Sequence, residues 1–168
     1  EQADRTIATA LMADEGGLES SLATAIWRGE RRPRGHLVAQ SLAAHLGIRD
    51  APRWRGWRVM RIAVEPTRQR RGYGSQLLSA RWRQAVEEGR ADYLCASFGA
   101  TPDLLNFWRR HAFEIVRVGI SRDHSSGVHS VIVMRPVSPA GRALTEEARR
   151  RFAQQLPWLL ADPLRELD

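Results

Sequence analysis

The residues best suited to chemistry lie in one hexapeptide, Gln69-Arg70-Arg71-Gly72-Tyr73-Gly74. It sits between an apolar run that stops at Pro66 and a periodic apolar pattern at Leu77, Leu78, Trp82 and Ala85. Glycines at 72 and 74 permit positive φ and let an oxygen-rich ligand approach the main chain with no Cβ in the way. Amide N–H groups at the start of the following helix would point together, where the positive end of the helix dipole favours a phosphate. Arg68, Arg70 and Arg71 add guanidinium charge that can pair with phosphate oxygens. The pattern fits a pyrophosphate cradle, and it also fits an ordinary tight turn with solvated arginines. It is neither a dinucleotide fingerprint, which needs another glycine spacing, nor a P-loop, which needs Gly-Lys-Ser/Thr.

The secondary structure flanking this turn is legible in the sequence. Residues 59–64 read as a strand and 75–88 as an amphipathic helix that Gly89 is placed to end. Residues 93–98 form an apolar strand suited to burial on both faces. A helix follows, with Thr101 as N-cap, Pro102 in the first turn and Asp103 beside it. It carries Leu104, Leu105, Phe107 and Trp108 and ends by His111-Ala112-Phe113. Strands are expected at 114–120 and 128–136, joined by 121–127. Upstream, 6–12 reads as a strand whose hairpin partner is missing, followed by a turn at Asp14-Glu15-Gly16-Gly17. Helical spacing then appears at 18–27 and 37–46. A charged helix over 140–160, ended by Pro157 or Pro163, closes the chain.

Two basic stretches interrupt the upstream part. Residues 28–35 hold four arginines in eight positions, among them Arg31, Arg32 and Arg34, with Pro33 and Gly35 to shape the loop. Such a loop is either a solvated connector or a phosphate-contacting segment. Residues 50–58 interleave Trp54 and Trp57 with Arg53, Arg55 and Arg58. Bases of single-stranded RNA stack on indole and guanidinium planes, and the same tryptophans could pack on the domain.

With 168 residues and 43% apolar content, one α/β domain is expected. All 26 basic residues are arginine, and the formal net charge of +7 favours polyanionic partners such as RNA and phosphate-bearing cosubstrates. Cys95 is the single cysteine, which excludes an internal disulfide framework and a cysteine metal site, so no metal is expected. No apolar run reaches the length of a membrane span and no signal peptide is visible, so a cytoplasmic protein without a membrane partner is expected.

The turn with its preceding Arg61-Ile62-Ala63-Val64-x-Pro66 resembles the acetyl-CoA-binding motif of the GNAT N-acetyltransferases. Further segments resemble one subfamily, the bacterial tRNA(Met) cytidine acetyltransferases: Asp14-Glu15-Gly16-Gly17-Leu18, Arg31-Arg32-Pro33-Arg34-Gly35, residues 37–45, Ser97-Phe98-Gly99 and Ser125-Ser126-Gly127. The resemblance implies an α/β GNAT (acyl-CoA N-acyltransferase) fold, a mixed central sheet flanked by helices, with N-terminal elements missing. It places a partial GNAT domain at 1–137 and a C-terminal helical extension at 138–168. The cosubstrate implied is acetyl-CoA and the acceptor N4 of the wobble cytidine of tRNA, with ATP used by a separate module of a longer chain. A free-standing GNAT acting on a small amine or protein, or a non-catalytic CoA- or RNA-binding module, are the alternatives.

Carried over residue by residue, Ile62, Ala63 and Val64 would lie along the acetyl-pantetheine arm, with the Val64 amide polarising the thioester carbonyl. Gln69, Arg70, Arg71, Gly72, Tyr73, Gly74 and Ser75 would hold the pyrophosphate. Asp103 and Arg110 match positions near the cofactor; a helix-dipole partner and a solvated cation would look the same. Glu65 is the carboxylate nearest the expected acetyl group and is either a base for the attacking amine or a surface carboxylate before a proline. His36 and His111 are further candidates for that base. Trp108 stands where many GNAT members have a tyrosine that protonates the leaving thiolate, a task indole cannot perform.

Overall fold

The computed structural model describes residues 6–124 and 126–166, so Ser125 of the expected 121–127 connection lies outside the described residues. Five strands form one sheet: β1 (Ala8–Glu15), β2 (Gly56–Val64), β3 (Tyr93–Gly99), β4 (Glu114–Arg122) and β5 (His129–Pro136), in the order β1-β2-β3-β5-β4. Only β2 and β3 run parallel, and the other neighbours are antiparallel, so the sheet is mixed. The helices are α1 (Ser20–Trp27), α2 (Leu37–Leu46), α3 (Tyr73–Glu88), α4 (Pro102–Arg110) and α5 (Pro139–Ala161).

Strand β3 divides the core because successive side chains point to opposite faces. Tyr93 and Cys95 pack with Val38, Leu42 and Leu46 of α2 and with Leu144 and Ala148 of α5. Leu94 and Ala96 pack with Leu78 and Ala85 of α3 and with Trp108 of α4. α5 is thus seated on the same core as α2. Its N-terminus is fastened where Ser138 Oγ donates to Asp92 Oδ1 at 2.7 Å, and a Cβ at Gly141 would overlap the Asp92 carbonyl. The helix runs through Pro157 to Ala161. Both Pro157 and Ala153, whose carbonyl the missing N–H would have bonded, are exposed, so water can satisfy the freed oxygen.

One expectation is overturned. β1 does not lack its partner: it pairs with β2 along its whole length, from Ala8 opposite Val64 to Glu15 opposite Gly56. The chain inserts α1 and α2 between the two strands, and the long separation hides the pairing. Asp14 and Glu15 accordingly belong to the strand, and the turn is confined to Gly16 and Gly17, both at positive φ.

Glu15 explains why α2 begins where it does. Leu37 N–H donates to Glu15 Oε1 at 3.0 Å and Val38 N–H to Oε2 at 2.8 Å, so a carboxylate 22 residues away caps the helix. Arg58 Nε pairs with the same carboxylate, which is almost wholly buried. His36 Nδ1 accepts the Gly16 N–H at 2.9 Å, and His36 itself stands at φ 52°. That histidine therefore braces the β1 turn.

Candidate functional site

Strands β2 and β3 part company midway. Their pairing runs from Gly56 opposite Tyr93 to Val59 opposite Ala96 and goes no further, although β2 continues to Val64 and β3 to Gly99. The departure coincides with a bulge: Leu11 opposes Arg61 and Met12 opposes Val59, leaving Met60 without a partner on β1. Beyond it, Glu65 N–H donates to Ile7 O at 2.8 Å. In an antiparallel pair the bonds alternate between the two edges of a strand, so the Val64 N–H points the other way, into the gap beside β3.

That gap opens onto a cleft of about 630 Å³ lined by Val64, the turn residues Gln69, Arg70, Gly72, Tyr73, Gly74 and Ser75, and by α4. Gly72, at φ 86°, is the N-cap of α3 and no side chain caps the helix. The first bond of α3 runs from Gln76 N–H to Gly72 O at 2.9 Å, which leaves the amides of Tyr73, Gly74 and Ser75 ahead of the ladder. Gln69 Nε2 donates to Val64 O at 3.3 Å and so ties the turn back to the strand end. Free amides, a helix N-terminus and a glycine wall together make an oxyanion-binding surface.

The far wall is one face of α4. Asp103, Asn106, Phe107 and Arg110 line the cleft at helical spacing, and His111 follows at the C-cap. Asp103 Oδ2 is 3.6 Å from Arg70 Nη2 across the mouth, in an exposed pair. His111 Nε2 is 3.0 Å from Ser75 Oγ, and burial, with the Arg135 charge, lowers its pKa from 6.5. Asn106 carries no signal of its own in the sequence and Phe107 reads there only as an apolar residue of the helix, although the Asp103-to-Arg110 spacing of seven defines the stripe that contains them.

The remaining site candidates are placed as follows. Ile62 is half-buried and Ala63 exposed on β2, ahead of Val64. Glu65 does not line the cleft; its carboxylate lies 3.4 Å from Arg68 Nε. Arg71 is exposed on the turn. Trp108 is core, stacked on Phe98 at 5.6 Å and edge-on to Phe113 at 4.8 Å. Ala112 stands at φ 57°, a left-handed conformation that glycine adopts most readily. Cys95 is fully buried and burial pushes its thiol up, so it is inert. Arg31, Arg32 and Arg34 are exposed in the α1–α2 connection. Arg53 and Arg55 are exposed just before β2 begins, at the end of the sheet away from the cleft, with Arg53 3.5 Å from Asp50.

The family model for GNAT acetyltransferase 2 matches residues 2–84 and 80–138. The chain belongs to this family of N-acetyltransferases. It is 51% identical to a tRNA(Met) cytidine acetyltransferase of Nitrosococcus halophilus over 96% of this chain and 22% of that protein. It is 45% identical to the enzyme of the same name from Pectobacterium atrosepticum over 88% of this chain and 21% of that one. The chain therefore spans about a fifth of the length of these curated relatives. Among solved structures, Arabidopsis thaliana NAA60 in complex with acetyl-CoA superposes with a TM-score of 0.53 at 11% identity, covering 80% of this chain and 68% of that one, a likeness of fold. The parted strands and the glycine turn thus lie on a sheet of this fold, in which α1 and α2 separate the first two strands.

Proposed function

We propose that this chain binds acetyl-CoA in the cleft between β2, α3 and α4 and transfers the acetyl group to N4 of the wobble cytidine of tRNA(Met), as one domain of a larger ATP-dependent enzyme. The observation that carries the donor half is the Val64 N–H, aimed into the gap where β2 leaves β3. The acceptor half draws its support from the relatives named above, and a cytoplasmic location goes with it. Among the described residues no helix is long and apolar enough to cross a membrane.

In this reading the amides of Tyr73, Gly74 and Ser75 hold the pyrophosphate, with Arg68, Arg70 and Arg71 at its edge and Arg110 and Asp103 opposite. Ile62, Ala63 and Val64 lie along the acetyl-pantetheine arm. The cytidine amine attacks the thioester carbon while the Val64 N–H stabilises the developing oxyanion. The carbon–nitrogen bond forms, the carbon–sulfur bond breaks, the amine sheds one proton and the sulfur leaves as a thiolate. Glu65 is the candidate base, and its pair with Arg68 must open for the carboxylate to reach the cleft. Trp108 is locked in the core, so the proton that reaches the thiolate comes from water or from another group.

Titration calorimetry with acetyl-CoA tests the donor half, and absence of binding would sink it. The acceptor half is tested by incubating the protein that carries this chain with tRNA, ATP and labelled acetyl-CoA, then resolving the nucleosides by mass. Label in N4-acetylcytidine is the expected result; label in a small amine or in protein alone points to a free-standing acetyltransferase.

A further inference from the structure

Strand β4 carries an irregularity that redirects one charge. Ile115 opposes Val133 and Arg117 opposes Ile132, so Val116 and Arg117 together face a single residue of β5. Strict alternation would send Arg117 to the α3–α4 face with Ile115. The bulge instead sets it opposite Ile132, whose side chain packs with α2 and α5.

There the guanidinium is half-buried, and burial lowers its pKa. The carboxylates near this face are committed elsewhere: Glu114 to Arg149 at 2.6 Å, Glu147 to Arg150 and Arg151, Glu15 to Arg58 and Glu30 to Arg28. Among the described residues none pairs with Arg117. Its neighbours are cationic instead. After burial, the charges of Arg117 and Arg32 both lower the pKa of His45 on α2. Arg32 reaches in from the α1–α2 connection, donating to Ile26 O at 3.4 Å, and Gln155 of α5 borders the site by donating to His45 O at 3.1 Å. Gln40 Nε2 pins the same connection at Pro33 O (2.8 Å) and Gly35 O (2.6 Å), which presents Arg31 and Arg34 alongside.

A partly desolvated guanidinium with no counter-charge destabilises a fold unless an anion completes it. Its planar fork of donors matches phosphate oxygens. We propose that Arg117, with Arg32 and His45, binds a backbone phosphate of the RNA acceptor. The proposal rests on the tRNA reading above and deepens it: RNA and acetyl-CoA engage opposite faces of the sheet. A polynucleotide is favoured over an acidic peptide because Arg31 and Arg34 extend the cluster along a pinned loop, as a run of phosphates requires, on a chain of net charge +7.

The test is fluorescence anisotropy of a labelled anticodon stem-loop RNA of tRNA(Met) titrated with wild type, Arg117→Gln and the exposed Arg32→Gln. Each variant is expected to bind roughly tenfold more weakly, with the slope of log affinity against log salt reduced by about 1. Arg117→Gln should melt at the wild-type temperature or above it, and both variants should keep wild-type affinity for acetyl-CoA. Unchanged RNA affinity and salt slope in both variants would overturn the phosphate site while leaving the tRNA reading intact. Wild-type protein that binds acetyl-CoA but not the RNA would overturn both.

Discussion

His111 Nε2 stands 3.0 Å from Ser75 Oγ, joining the end of α4 to the first turn of α3 across the floor of the cleft. Burial, followed by the Arg135 charge, lowers the His111 pKa, and burial with Arg117 and Arg32 lowers that of His45. For a histidine held below its unfolded value of 6.5, the unfolded chain binds the extra proton first. Stability is therefore full above about pH 7 and falls as pH drops through the unfolded pKa, levelling off below the folded one. Melting temperatures of wild type and His111→Gln, whose amide can still bond Ser75, should converge near pH 8. At pH 5.5 the variant should lose less than wild type; equal losses would show that His111 does not titrate as its surroundings require.

Glu15 carries more of the fold than its position in a strand suggests. Its carboxylate receives two α2 amides and Arg58 while almost wholly buried. Removing it strands a buried guanidinium and uncaps a helix together. Glu15→Ala should cost about 3–5 kcal/mol, the range for breaking a buried charge pair. Urea unfolding followed by circular dichroism reads this as a lower midpoint, and a loss below about 1 kcal/mol would mean that water takes over the role.

These residues mark what the sequence could and could not disclose. The Gln69-to-Gly74 turn, the bounds of α2 and the Thr101 cap of α4 were legible because each depends on residues within a few positions of one another. Thr101 Oγ1 does accept the Leu104 N–H, at 3.4 Å. The β1–β2 pairing, the capping of α2 by Glu15 and the bulge at Val116 arise from contacts between distant segments, and no local pattern encodes them. Arg117 shows the consequence: by alternation it belongs to one face of the sheet, and a single extra residue puts it on the other. Glu65 shows a related point: adjacency to Val64 in sequence does not say where its carboxylate lies, and just past the end of β2 it lies 3.4 Å from Arg68 Nε.

Gly74 separates the ligand site from the fold. A Cβ there would lie 3.6 Å from Phe107 and 3.7 Å from Val64, ordinary contact distances, and the residue is helical. Gly74→Ala should thus leave the melting temperature unchanged or raise it, since alanine favours a helix over glycine by up to about 1 kcal/mol. On the proposed binding mode, the added methyl nevertheless occupies the cleft wall between Val64 and α4, where the pyrophosphate and pantetheine would approach the main chain. Acetyl-CoA affinity by calorimetry should fall at least about tenfold, the equivalent of one lost charge-assisted hydrogen bond. Gly72→Ala makes the contrast: nothing lies within 4 Å of a Cβ at that position, but φ is 86°, so the folded state itself should lose about 1 kcal/mol. A Gly74→Ala protein that binds acetyl-CoA as wild type does would move the cofactor out of this cleft.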